Sequence, residues 1–114
     1  MAYGTRIAFE AVRELAFGSI SGTYAGVGSP LGDHIRILTL QNSCDQDLYV
    51  SFDGSTNHLR ISENSFKLFD FSSNKIREDG LFLASGTQIY VKEVSSSVSS
   101  GTFWIEVAYG EGGK

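Results

Sequence analysis

The chain is poor in the residues that usually mark special chemistry or special folds. In 114 residues there is one cysteine, one proline, one methionine, one tryptophan and two histidines. Cys44 stands alone, so no internal disulfide framework can form, and Cys44 with His34 and His58 cannot complete the four ligands of a structural zinc site. No stretch approaches the ~18 consecutive apolar residues that would span a bilayer, and the first residues lack a basic segment followed by an apolar run. A soluble protein made in the cytoplasm, with no membrane partner, is therefore expected. Nine Lys and Arg against 13 Asp and Glu give a net charge of -4, and the basic residues are scattered. Nucleic acid is not expected as a partner, because a binder of phosphates needs clustered cations. At 41% hydrophobic and 19% charged, the chain is too apolar to remain disordered.

What is present in quantity is glycine (13), phenylalanine (8) and tyrosine (5), the balance of an all-β domain. The clearest strand is Leu48-Tyr49-Val50-Ser51-Phe52, with Leu48, Val50 and Phe52 on one face. It ends at Asp53-Gly54, a strong turn signal that opens a longer loop through Asn57. Short alternating runs follow at 58–62 and 66–71. In the second, Phe66 and Leu68 lie on one face and Phe69 and Phe71 on the other, so both faces are expected to be covered. After a polar connection at 72–80, strands are predicted at 81–83, 88–94 and 102–109, the last with Phe103, Ile105, Val107 and Tyr109 as core. The serine-rich stretch 95–101 reads as a mobile hairpin tip. Residues 34–42 place Ile35 and Ile37 on one face and Leu38 and Leu40 on the other, which predicts a bulge or two buried faces. Residues 7–17 fit period 2 (Ile7, Phe9, Ala11, Leu15, Phe17, with Arg13 the exception) and also helical spacing (Ala8, Val12, Leu15). The glycines at 18, 22, 26 and 28 favour an extended arm running into strands at 20–27. Together these runs predict an antiparallel β-sandwich of jelly-roll type: an N-terminal arm at 1–14, one domain at 15–110 and a frayed tail at 111–114.

Candidate chemistry is thin. A hydrolase needs a nucleophile, a base and an orienting acid, and neither His34 nor His58 sits in a recognisable motif. No glycine-rich loop has the strand and helix context that aims amides at a phosphate. Asp45, Asp47 and Asp53 lack the spacing of a calcium loop and read as polar turns. Cys44 reads as a small, half-buried side chain beside a turn. No catalytic residue, cofactor or metal is expected, and the protein is not expected to be an enzyme. Surface remains: Trp104, Tyr90 and Tyr49 fall on outward strand faces, joined by Phe69 and Phe71, and exposed rigid aromatics are common at protein interfaces.

Leu15-Ala16-Phe17-Gly18-Ser19-Ile20-Ser21-Gly22-Thr23-Tyr24, Val27-Gly28-Ser29-Pro30-Leu31, Ser51-Phe52-Asp53-Gly54, Ser73-Asn74-Lys75, Gly86-Thr87-Gln88-Ile89-Tyr90-Val91-Lys92 and Ala108-Tyr109-Gly110 carry a further signal. Across nearly the whole chain they resemble small virion structural proteins of tailed bacteriophages, in particular capsid decoration or cement proteins. The shared motifs are turns and strands without reactive groups. The resemblance implies a protein on the outer surface of the capsid that bridges neighbouring subunits of the major capsid protein and self-associates as a dimer or higher oligomer. Contacts would then come from the arm (Arg6, Phe9, Leu15, Phe17) and from Phe69, Phe71 and Trp104. A neck, collar or tail adaptor is the alternative, and a carbohydrate-binding module a more distant one.

Overall fold

The computed structural model describes residues 6–70 and 83–111. Phe71, the connection at 72–80, the first two residues of the strand expected at 81–83 and the tail from 112 lie outside the described residues. The strands are β1 (Arg6–Phe9), β2 (Arg13–Ala16), β3 (Ala25–Gly26), β4 (Ile35–Asn42), β5 (Leu48–Ser51), β6 (Leu59–Ile61), β7 (Ser65–Asp70), β8 (Tyr90–Glu93) and β9 (Thr102–Glu111), with one 3-10 turn at Phe17–Ser19. One sheet has the order β1-β9-β4-β7, with β2 also on β9, and the other has the order β3-β8-β5-β6. All named pairings are antiparallel. The protein is thus all-β, in an arrangement compatible with a β-sandwich. Leu38, Leu40, Phe103, Ile105 and Val107 from the first sheet and Leu48, Val50, Ile61 and Val91 from the second join one buried cluster. Burial of such side chains is the main favourable term in a domain of this size.

Two bulges set which residues face inward. In β4 the register against β9 shifts between Ile35 and Ile37, so Arg36 is the extra residue. That shift puts Ile35, Leu38, Leu40 and Asn42 in the core, which resolves the change of face in the sequence. Between Phe9↔Ala108 and Arg13↔Ile105 the first strand uses one more residue than β9 does. The extra residue separates an outward Ile7 and Phe9 from an inward Arg13 and Leu15. Extended structure from Arg6 onward is therefore correct and helical spacing is not, but the segment expected as an arm is hydrogen-bonded along β9.

Arg13, the exception in the period-2 pattern, is 9% exposed. Its Nε donates to the Ser29 carbonyl at 2.9 Å, and its Nη2 donates to the Pro30 carbonyl at 3.1 Å and to Glu10 Oε1 at 2.6 Å. The Gly32 N–H donates to Glu10 Oε2 at 3.1 Å. Burial works to raise the Glu10 carboxyl, but hydrogen bonds and charge from Arg13, with the Gly32 amide, leave it lowered. This network ties the loop at 28–32 to the β1–β2 bulge. Asn42 does the same elsewhere: fully buried, it donates to the carbonyls of Gln46, Ile61 and Ser62 and accepts from the Cys44 N–H.

The serine-rich stretch is held down rather than mobile. Val98 is buried, and its N–H donates to Glu93 Oε2 at 3.2 Å. The Ser99 N–H donates to Asp45 Oδ1 at 3.0 Å, its hydroxyl donates to Asp45 Oδ2, and the Asp45 N–H donates to the Ser100 carbonyl. Gly101 closes this contact at φ +100, where a Cβ would lie 2.2 Å from the Ser43 carbonyl oxygen and 2.5 Å from Cys44 Cα. Backbone cannot give way as a flexible side chain can. Gly101→Ala should therefore cost about 3 kcal/mol or more in urea denaturation, from overpacking added to left-handed strain. Gly86→Ala, at φ +88 with nothing within 4 Å, should cost only about 1–2 kcal/mol. Equal losses would show that the close approach at Gly101 does not constrain the fold.

Candidate functional site

Antiparallel pairing fixes what the first sheet shows to solvent. With Phe103, Ile105 and Val107 committed inward, β9 turns Thr102, Trp104, Glu106, Ala108 and Gly110 outward. The register adds Ile7, Phe9, Glu14 and Ala16 from β1 and β2, Ile37, Thr39 and Gln41 from β4, and Phe66, Leu68 and Asp70 from β7. Of the six exposed large hydrophobic residues among those described, Phe9 (73%), Phe66 (65%), Leu68 (58%), Val12 and Ile7 belong to this face or to the bulge at its border. The sixth, Phe17, lies just beyond β2. Side chains of this size clustered on one exposed face give this small domain a contiguous apolar patch, the kind of surface that in general attracts partners.

The centre of the face is a shallow groove of about 280 Å³ lined by Phe9, Val12, Ile37, Thr39, Glu106 and Ala108, among others. Ala108 forms its floor: it has outward parity yet is 1% exposed, flanked by its register partners Phe9 and Ile37. The paired outward positions carry Glu14, Glu106 and Asp70 and no lysine or arginine. The face is apolar with an acidic accent.

The second sheet is different. Its outward row brings Lys92 Nζ to 4.8 Å from the Tyr24 ring centre and 5.9 Å from that of Tyr49, both cation–π distances. The Tyr24 hydroxyl donates to Asn57 Oδ1, and Arg60 pairs with Asp47 at 2.7 Å. Burial, then the neighbouring Tyr49 and Asp53, push the Tyr24 phenol up. This face is occupied with its own contacts.

The expected contact residues divide accordingly. Phe9 walls the groove, and Trp104, half-buried, shares its face. Phe17 is exposed on the 3-10 turn, and Arg6 begins β1 opposite Glu111. Leu15 and Phe69 pack against the core instead, because each pairs with an inward residue, Phe103 and Leu38. Phe71 lies outside the described residues. Phe66 and Leu68 on the same face, and Val12 and Glu106 in the groove, are not among the contacts expected from the sequence. The two-sided apolarity of 66–71 was the signal for the first two, but it left open which side the core would take.

The histidines and the cysteine are engaged structurally. His34 Nδ1 accepts the Ser85 N–H and His58 Nδ1 accepts the Phe52 N–H, each closing a loop. Cys44 is fully rather than half buried, and burial, with the charge of Asp45, pushes its thiol up to about 11. Among the described residues no group of three or more His, Cys, Asp or Glu is placed to hold a metal ion. None of their helices is long and apolar enough to cross a membrane. Comparison with protein-family models, with curated proteins and with solved structures found no match.

Asp53 organises the loop after β5. Its carboxylate accepts from the Ser55 and Thr56 N–H groups and from the Ser51 hydroxyl, each at 2.8 Å. Those bonds, the Ser55 and Thr56 amides first, hold it well below the usual carboxylate range. A depressed native pKa adds stability that is complete above the unfolded value of ~4 and is lost as pH falls through the native value. Asp53→Ala should therefore lower Tm at pH 7, and the gap to wild type should narrow progressively below about pH 4. A gap that is constant with pH would show that the carboxylate is not what holds the loop.

Proposed function

We propose that the protein is a bacteriophage capsid decoration protein that sits on the outside of the shell and bridges neighbouring subunits of the major capsid protein. The observation that carries this reading is the apolar outward face of the β1-β9-β4-β7 sheet, which a chain acting alone would have reason to cover. Net charge -4 favours a surface turned to solvent over one turned to packaged DNA.

The strand order supports a jelly-roll reading. If β1 and β2 count as one strand broken by the bulge, the first strand pairs with the last, β3 with β8, β4 with β7 and β5 with β6. That is a long antiparallel ribbon rolled so that its halves fall in two sheets, a pattern common in viral coat proteins and lectins. The lectin branch draws less support here. A sugar platform needs open aromatic rings, and Tyr24 and Tyr49 already share the Lys92 ammonium.

Modest contacts repeated over a shell lattice add up, so each copy needs little area to stiffen the whole. Self-association, as a dimer or higher oligomer, would let one unit grip two shell subunits. The contacts assigned to the shell are Phe9, Trp104 and Phe17, with Phe66 and Leu68.

Cosedimentation with capsids assembled without the protein tests this reading. Bound copies at saturation should be comparable in number to the shell subunits. Phe66→Ser with Leu68→Ser, both exposed on β7, the last strand of its sheet among the described residues, should keep the fold and weaken binding by about tenfold or more, as loss of two interface anchors does. One ring of copies per particle would place the protein at the neck, collar or tail instead, and no binding would refute the virion reading.

A further inference from the structure

We infer that the occupant of the groove on the β1-β9-β4-β7 sheet is a protein segment presenting a lysine or arginine between apolar side chains, and not a second copy of this chain. The inference deepens the decoration reading by naming the chemistry of the partner, and the groove geometry supports it for any protein partner.

Charge is the deciding observation. A second copy laid on the same face would bring Glu14 and Glu106 toward their own kind, with no lysine or arginine at any paired outward position to answer them, and Asp70 is engaged by other groups of its own chain. Arg36, in the β4 bulge, is engaged by other groups of the chain. Within the groove, the Glu10 carboxylate is committed to Arg13 and to the Gly32 N–H. Glu106 is exposed at the groove's edge, opposite Thr39. A carboxylate covered by an apolar partner and left unpaired would oppose binding, whereas one met by a cation forms a charge-assisted hydrogen bond.

The lining fits the rest of such a side chain. Ala108 and Ile37 make a flat floor for the methylene stem of a lysine or arginine, whose head can reach Glu106. Phe9 and Val12 on one side and Leu68, across Thr39, on the other offer apolar flanks for the residues before and after it. Self-association, where it occurs, then uses another surface.

The test is a panel of ten-residue synthetic peptides of varied apolar sequence, each made with Lys, Gln or Glu at its centre, screened against the labelled full chain. The Lys series should bind at least fivefold better than the Glu series. Glu106→Gln, exposed and neutral in shape, should keep the wild-type Tm and erase that preference. Amide shifts in an NMR titration with the best binder should centre on Phe9, Ile37, Thr39, Glu106 and Ala108. The inference is overturned by equal binding of the two series, by a preference that survives Glu106→Gln, by shifts centred on the second sheet, or by a dimer in sedimentation equilibrium whose contacts map to the groove. Capsid binding is read separately: a Lys preference without capsid binding removes the decoration reading alone, and capsid binding indifferent to Glu106→Gln removes this inference alone.

Discussion

β9 pairs with β4 along one edge and with β1 and β2 along the other, and that double commitment fixes nearly everything else. Its odd-numbered side chains, Phe103, Ile105 and Val107, must fill the space between the sheets, so its even-numbered ones must line the outside. A shift of one residue would bring Trp104 and Glu106 inward and expose the largest buried side chain of the core. The register is therefore strongly specified, and with it the composition of the exposed face. The face is a consequence of how the core is built, yet its content of Phe9, Ile37, Leu68 and Phe66 is not. Thr39 and Gln41 show that polar residues are tolerated at the same outward positions.

The loops that hold the two sheets in place use polar groups that are paid for in hydrogen bonds. Asn42 joins β4 to the turn before β5 and to the end of β6. Asp45 draws in the approach to β9, and Arg13 draws in the loop at 28–30. Asn42 and Arg13 bring a buried amide and a buried charge to carbonyls shielded from water, while Asp45 pins an exposed turn, so each loop is specified as well as attached.

Much of the architecture could be read from residues alone. The alternation at 48–52, 88–94 and 102–109 and the turn at Asp53-Gly54 place strands where β5, β8 and β9 lie. The change of face at 34–42 correctly signals the bulge at Arg36. What escaped the sequence is non-local. Nothing within 95–101 shows that an aspartate some fifty residues away will hold Ser99. Periodicity shows both apolar faces of 66–71 but does not tell which of them meets the core, so it points to Phe69 rather than Phe66 and Leu68 as the outward residue. The bulge at 10–12 reverses parity midway through a segment whose pattern is otherwise regular, which is why Leu15 was grouped with Phe9.

On this account the two sheets have different duties: the second satisfies its own aromatic and charged groups, and the first is left open for a partner. Hydroxyl-radical footprinting of the protein alone and bound to capsids compares the two faces directly. The account predicts that Phe9, Phe66 and Leu68 lose reactivity on binding while Tyr24, Tyr49 and Tyr90 keep theirs. Protection of the tyrosines, with the three apolar residues still reactive, would contradict it.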